Sequence, residues 1–171
     1  MTPRLRPTML SDLDFVQTVE TDPRNLPFIT PWERTQHEGA VRFPDFRHFI
    51  VDAGDPWTRA GFVILQGCRS QHRSVELKRI VLQPKGQGIG RACVRLLKQM
   101  AFRDLKAHRF WLVAKSLNQR ALALYASEGF TEEGRLRESV RIQSGGDGYD
   151  SLIVMSMLDR EYDARVALGL E

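Results

Sequence analysis

The chain has 171 residues, 42% hydrophobic and 27% charged, with a formal net charge of +4 at pH 7, a size and composition that favour one soluble domain over residues 1–171. Its longest apolar runs, such as Ile80–Leu82 and Leu152–Met155, are too short to span a bilayer. The opening Met1–Leu10, followed at once by Asp12 and Asp14, fits neither a secretory signal nor a transit peptide, so a cytoplasmic protein with no membrane partner is expected.

A short first strand is predicted at Arg4–Arg6. Ser11 then offers an N-cap, and Leu13, Phe15, Val16 and Val19 recur at helical spacing, predicting a helix to about Asp22. Asp22–Trp32 carries three prolines with Phe28 and Trp32 and reads as a loop that is packed down or lines a site. Paired strands are predicted at Arg47–Asp52 and Arg59–Gly67, joined across Gly54-Asp55-Pro56, with a third at Val75–Leu82. Strict alternation along that third strand places Glu76, Lys78, Ile80 and Leu82 on one face. From Gly88 the period changes: Ile89, Ala92, Cys93, Leu96, Leu97, Met100 and Ala101 form an apolar stripe, with Arg91, Arg95, Lys98 and Gln99 pointing elsewhere. A strand at His108–Ala114, a helix at Asn118–Glu128 closed by Gly129, a strand from Phe130 and a last strand at Ser151–Leu158 complete the pattern. The turn Ser144–Gly148 joins the last two strands. The two cysteines, Cys68 and Cys93, are expected to be free thiols. Cys68 and His72 are four apart with no second pair to complete a zinc set, so no metal is expected.

Charge is distributed unevenly. Between Pro84 and Arg120 lie nine basic residues (Lys85, Arg91, Arg95, Lys98, Arg103, Lys106, Arg109, Lys115, Arg120) against one acid, Asp104, so this stretch carries +8 and the remainder −4. Within it, Lys85-Gly86-Gln87-Gly88-Ile89-Gly90-Arg91 joins a predicted strand to a helix start. Glycines there let backbone N–H groups converge on an anion, and the uncapped helix start supplies further donors and a favourable dipole. The plain alternative is a tight turn. A Walker loop would need Gly-Lys-Ser/Thr, whereas Gly90 is followed by Arg91-Ala92. A dinucleotide fingerprint begun at Gly86 would need glycine at Arg91.

Lys85-Gly86-Gln87-Gly88-Ile89-Gly90 resembles the Gln/Arg-x-x-Gly-x-Gly/Ala motif of the GNAT acyl-CoA N-acetyltransferases, with lysine at its first position. Downstream, Asn118-Gln119-Arg120-Ala121-Leu122-Ala123-Leu124-Tyr125-Ala126-Ser127-Glu128-Gly129-Phe130 is similar to the family's Asn-x-x-Ala-x-x-Leu-Tyr-x-x-x-Gly-Phe segment at every fixed position. The similarity covers at least Arg59–Leu158, and the opening segment and Leu77–Val81 look most like ribosomal-protein N-acetyltransferase-like members. The resemblance implies an α/β fold with a mixed, mostly antiparallel sheet of about six to seven strands and about four helices. It implies acetyl-CoA as cosubstrate, with its pyrophosphate on the amides of Gly86–Arg91 (Gly86, Gln87, Gly88, Ile89, Gly90, Arg91) beside Lys85. Its pantetheine arm would pair with Ile80, Val81 and Leu82, and Asn118 and Ala121 would help hold it. A backbone N–H near Val81 would polarise the acetyl carbonyl.

The acceptor implied is a primary amine, of a peptide or protein N-terminus or a small molecule, with polyamines and antibiotics as further classes. Tyr125 shares a helical face with Asn118 and Ala121 and would be the general acid for the leaving thiolate; a core-plugging tyrosine is the alternative. A lysine-like amine of pKa about 10.4 costs roughly 4.6 kcal/mol to deprotonate at pH 7, an α-amine of about 7.8 only roughly 1.1. Glu76 is the candidate base, directly or through a water, against the alternative of a strand glutamate paired with Lys78. Phe28, Trp32 and Glu33 are candidate acceptor-pocket residues, although Trp32 also suits packing. A non-catalytic acyl-CoA sensor and a nucleic-acid binder are the competing classes; coenzyme phosphates account for the basic charge, so no nucleic-acid partner is expected. The protein is expected to be a monomer or a homodimer.

Overall fold

The structure, a computed structural model, describes residues 2–83, 85–143 and 145–171. Seven strands form one sheet: β1 (Arg4–Pro7), β2 (Arg47–Ala53), β3 (Thr58–Gln66), β4 (Ser74–Leu82), β5 (Arg109–Lys115), β6 (Thr131–Arg141) and β7 (Tyr149–Leu158). Their order is β1-β2-β3-β4-β5-β7-β6, and β4 with β5 is the parallel pair in an otherwise antiparallel sheet. Five α-helices accompany it: α1 (Leu13–Glu20), α2 (Arg34–Arg42), α3 (Ile89–Gln99), α4 (Gln119–Ser127) and α5 (Asp159–Ala167). The crossover through α3 is what a parallel pair requires.

Two apolar clusters place the layers. Ile89, Cys93, Val94 and Leu97 of α3, Tyr125 of α4 and Tyr162 of α5 pack with Val63, Leu65, Phe110 and Leu112 on one face of the sheet. Leu13, Val16 and Val19 of α1 pack with Ile50, Phe62, Ile64 and Val81 on the other, with Trp32 and Val41 against them. β3 is therefore buried on both faces, which explains its continuous apolar run. Gly61 is required by close approach: with φ +149°, a Cβ there would lie 2.0 Å from the carbonyl oxygen of Val81.

Several local expectations change. Ser11 is not an N-cap but sits inside a 3-10 turn, Leu10–Asp12; the carboxylate of Asp12 accepts the Met9 N–H at 2.9 Å. The helix after Trp32 is α2, and its weak apolar pattern, with His37 and Ala40 its buried residues, hid it in the sequence. α5 was not anticipated, because Tyr162 is its one buried residue. Lys98 does not point away from the core: it is fully buried, on the same side of α3 as Val94 and Leu97. In β4, Ile64 pairs with Arg79 and Leu65 with Leu77, so Lys78 is an extra, bulged residue that shifts the alternation. Glu76 consequently shares its face with Arg79 and Val81, while Ile80 and Leu82 join Leu77 on the α3 face. Of the turn between β6 and β7, Ser144 lies outside the described residues.

Candidate active site

β4 and β5 are in register only from Ser74↔Arg109 to Leu77↔Leu112. Beyond Leu77 they separate, leaving the β5-side edge of Arg79–Leu82 without a ladder partner, although β3 still pairs with the other edge. Strand edges with free N–H and C=O groups accept extended ligands. A cavity of about 480 Å³ opens beside this edge. Ile80, Val81 and Leu82 form one wall; Lys85, Gly86, Gln87, Gly88, Ile89, Gly90 and Arg91 form the next; Asn118, Ala121 and Tyr125 close it from α4. Phe28 lines it from the loop after α1, together with Asn25 and Ile29. Val94, Arg120 and Leu124 also line it; Arg120 and Leu124 fall inside the second motif without having been given a site role, and Asn25, Ile29 and Val94 lie outside both motifs.

The glycine loop has its shape for conformational reasons. Gly86 and Gly88 have φ of +94° and +75°, and Gly88 is the left-handed N-cap of α3, which has no side-chain cap. The first-turn N–H groups are thus left for a ligand. Gly90 has no such backbone requirement, and a Cβ there would make only an ordinary contact with Leu124 Cδ2 at 3.5 Å. Around the loop, Lys85 Nζ donates to the carbonyl of Arg24 at 3.2 Å and lies 5.1 Å from the centroid of the Phe28 ring. Burial lowers its pKa, and Arg120 and Arg24 add to that effect as like charges. A cluster of cations at an amide-rich loop suits a phosphate-bearing ligand.

Much of the basic segment is neutralised inside the protein. Glu128, fully buried, receives Arg91, Arg95 (3.0 Å) and Lys98 (3.1 Å). Burial alone would raise its pKa, but the hydrogen bonds from Arg95, Lys98 and Arg91 prevail and hold it down at about 2. Arg103 pairs with Asp163 at 2.9 Å and Arg109 with Glu133 at 2.6 Å.

Asn118 caps α4, its Oδ1 accepting the Ala121 N–H at 3.3 Å, and the residue lines the cavity. Tyr125 is buried, its ring 5.8 Å from that of Phe130. Its hydroxyl borders the cavity and makes no hydrogen bond to any described residue. Burial raises its pKa well above that of a free phenol, so the group stays protonated across neutral pH. Cys93 beneath it is a buried free thiol pushed up to about 12 by desolvation, and Cys68 is also free.

Glu76, Trp32 and Glu33 do not line the cavity. Glu76 lies on the opposite face, level with Trp111 of β5, with Lys78 Nζ 3.6 Å from its carboxylate. Glu33 is the N-cap residue of α2. Trp32 packs on His37 and Phe46, and its backbone N–H donates to Glu20 Oε2 at 3.1 Å.

That carboxylate belongs to a buried polar chain missed in the sequence. Glu20 pairs with Arg79 on one oxygen and receives His37 Nε2 at 2.8 Å on the other. His37 Nδ1 lies 3.1 Å from His48 Nε2, and His48 Nδ1 is 2.8 Å from Thr8 Oγ1. Burial, with a contribution from His37, lowers the pKa of His48 to about 3, so this ring is neutral. One polarity satisfies the chain: Thr8 O–H donates to His48, His48 to His37, and His37 to Glu20. These four residues come from α1, α2, β2 and the turn after β1, and no local spacing announces them.

A second, shallow cleft of about 620 Å³ runs along β1 between Arg4, Arg6 and Arg59. Its carboxylates are already paired, Asp12 with Arg6 at 2.7 Å and Asp52 with Arg4 at 3.3 Å. Among the described residues no group of three or more metal-ligating side chains is found, and no helix is long and apolar enough to cross a membrane.

Residues 4–131 match the family model described as an acetyltransferase (GNAT) domain. The chain is 26% identical over 171 residues to a spermidine N(1)-acetyltransferase of Escherichia coli, covering 93% of this chain and 87% of the relative. It is 35% identical over 100 residues to an uncharacterized N-acetyltransferase of Mycobacterium bovis, covering 56% and 63%. The crystal structure of spermidine N-acetyltransferase from Vibrio cholerae in complex with CoA and spermine superposes with a TM-score of 0.83 at 25% identity, covering 94% of this chain and 98% of that one.

Proposed function

The chain belongs to the GNAT acetyltransferase family and is an acetyl-CoA-dependent N-acetyltransferase; from that premise we propose that it works by direct transfer in a ternary complex, with Tyr125 as general acid, residues 1–171 acting as one domain. The observation that carries this reading is the unpaired edge of β4 opening into a cavity bounded by an uncapped helix start and a phenol without a partner. The residues fit the cosubstrate on their own chemistry. The amides of Gly86–Arg91, with Lys85 and Arg120, would hold its pyrophosphate. The free edge of Ile80–Leu82 would pair with its amide-bearing arm, and Asn118 and Ala121 would support it from α4. When bound, acetyl-CoA supplies the acetyl thioester.

Tyr125 would offer its proton to the departing sulfur. Its raised pKa keeps the phenol protonated at neutral pH, so it can donate a hydrogen bond to the sulfur as charge develops there; a free thiol, with a pKa of about 8.5, is a stronger acid than this phenol, so the proton is shared with the departing sulfur and not fully given up to it. Glu76 lies on the acceptor face one rung before the strands part, and we assign it the base, reaching the amine through water. Phe28 would contact the acceptor end of the cavity, whereas Trp32 and Glu33 shape the loop around it. The relatives named as spermidine acetyltransferases favour a second, finer reading, a polyamine acceptor.

The test is amine-dependent thiol release from acetyl-CoA, comparing the native protein with Tyr125→Phe. Turnover is expected to fall at least about tenfold while acetyl-CoA affinity is retained. An unchanged rate removes Tyr125 from the mechanism. Acetyl-CoA binding without release in the presence of any amine would favour the sensor class instead.

A further inference from the structure

Where β4 and β5 part, each arm carries side chains on both faces of the sheet. On the face away from α3 and α4, β4 contributes Arg79 and β5 contributes Lys115, which alternates with Leu112 and Ala114 of the opposite cluster. These two cations lie on the two strands beyond their last paired rung and are not alike. Arg79 is neutralised by Glu20 and lies over the Trp32 ring, 5.3 Å from its centroid. Lys115 is 6% exposed, and its ammonium forms no ion pair or hydrogen bond with any described residue, keeping only a sliver of solvent contact.

The carboxylates nearby are occupied. Glu76 is held by Lys78 and Glu133 by Arg109. Asp150 accepts Ser116 Oγ at 2.5 Å and the Ser151 N–H at 2.7 Å. Burial lowers the pKa of Lys115, the carboxylate of Asp150 on β7 opposes that, and the like charge of Arg79 on β4 reinforces it. An ammonium taken out of water without a bonded counter-charge is unfavourable by several kcal/mol in general, and a bound anion relieves it. A polyamine would add positive charge beside this ammonium.

We propose that Lys115 determines acceptor specificity by binding a carboxylate, so that the acceptor is an amine that also carries a carboxylate, a free amino acid or a short peptide. This rests on the acetyl-transfer reading and narrows its acceptor.

The experiment compares kcat/KM for a panel of amino acids and dipeptides with that for their C-terminal amides and for spermidine, alongside calorimetric acetyl-CoA binding. In the native protein carboxylates are expected to exceed their amides by about tenfold or more, the effect of one charge-assisted bond. In Lys115→Met the ratio should fall to near one, and Lys115→Arg should restore most of it, which a merely structural lysine would not require. A preference confined to free amino acids, or shared by dipeptides, tells which source of carboxylate is used. Equal rates on carboxylates and amides, faster turnover of spermidine, or a ratio indifferent to Lys115→Met each overturn the proposal while acetyl transfer stands. The native-protein ratio decides even if a variant fails to fold. Absence of acetyl-CoA binding would overturn the transfer reading and this inference with it.

Discussion

Each face of the sheet buries one carboxylate completely, and the two are used in opposite ways. On the α3 and α4 face, Glu128 draws in Arg91, Arg95 and Lys98, joining the helix that starts at the glycine loop to the helix that carries Asn118 and Tyr125. On the α1 and α2 face, Glu20 takes Arg79 on one side and His37, backed by His48, on the other. The first cluster is a staple of opposite charges; the second runs on through a hydrogen-bonded chain that ends in the neutral ring of His48. The wall proposed to hold the donor's phosphates is thus braced by fixed charges, while the face proposed for the acceptor is braced by hydrogen-bond polarity.

Removing the staple should have the largest effect. Glu128→Ala leaves three cations without their shared carboxylate, and breaking a buried pair in this way costs about 3–5 kcal/mol. A large fall in Tm by calorimetry is expected, with weakened acetyl-CoA binding in whatever fraction stays folded; a Tm within a degree or two of the native value would show the cluster to be surface-like. The acid limb of stability separates the two faces more finely. His48 has a folded pKa lowered to about 3 from an ordinary 6.5, so the unfolded chain binds its proton first and stability falls as pH drops from about 6.5 towards 3. Glu128, lowered to about 2 from 4.5, contributes stability that is present above 4.5 and lost as pH falls towards 2. Melting curves across pH should show two successive windows, and His48→Gln should flatten the upper one alone. If that variant keeps the native slope between pH 6.5 and 4.5, the histidine chain is not the acid-sensitive element.

The smallest expected effect concerns the chemistry on the acceptor face. Glu76→Gln should lower kcat severalfold near pH 7, with the deficit shrinking as pH rises and the amine deprotonates unaided. Tyr125→Phe, on the other face, should not recover in that way. A pH-independent deficit in Glu76→Gln would assign the carboxylate a structural role beside Lys78.

What the sequence disclosed follows the same division. The anion-binding wall is built from contiguous residues: Lys85–Arg91 and Asn118–Phe130 each form one turn or helix whose spacing can be read directly, and the structure places both at one cavity. The succession of seven strands was legible, with α1, α3 and α4 between them, but α2 and α5, with two buried residues and one, give no periodic stripe. Faces were harder. The bulge at Lys78 reverses the alternation that put Glu76 with Ile80, and an extra residue in a strand leaves no mark in composition. Lys98 reads as a surface lysine until Glu128, thirty positions on, supplies its partner. The chain from Thr8 to Arg79 and the placement of Lys115 depend on tertiary pairing between distant strands. That is why the acetyl donor was legible and the acceptor was not.

Titration calorimetry of the native protein with acetyl-CoA, with NAD and ATP as controls, tests the central claim most directly. Selective micromolar binding to the native protein, lost in Gly88→Val where φ is +75°, is the predicted result. Absence of acetyl-CoA binding by folded, monodisperse protein, or affinity untouched by Gly88→Val, would contradict the assignment of this loop and cavity to the acetyl donor.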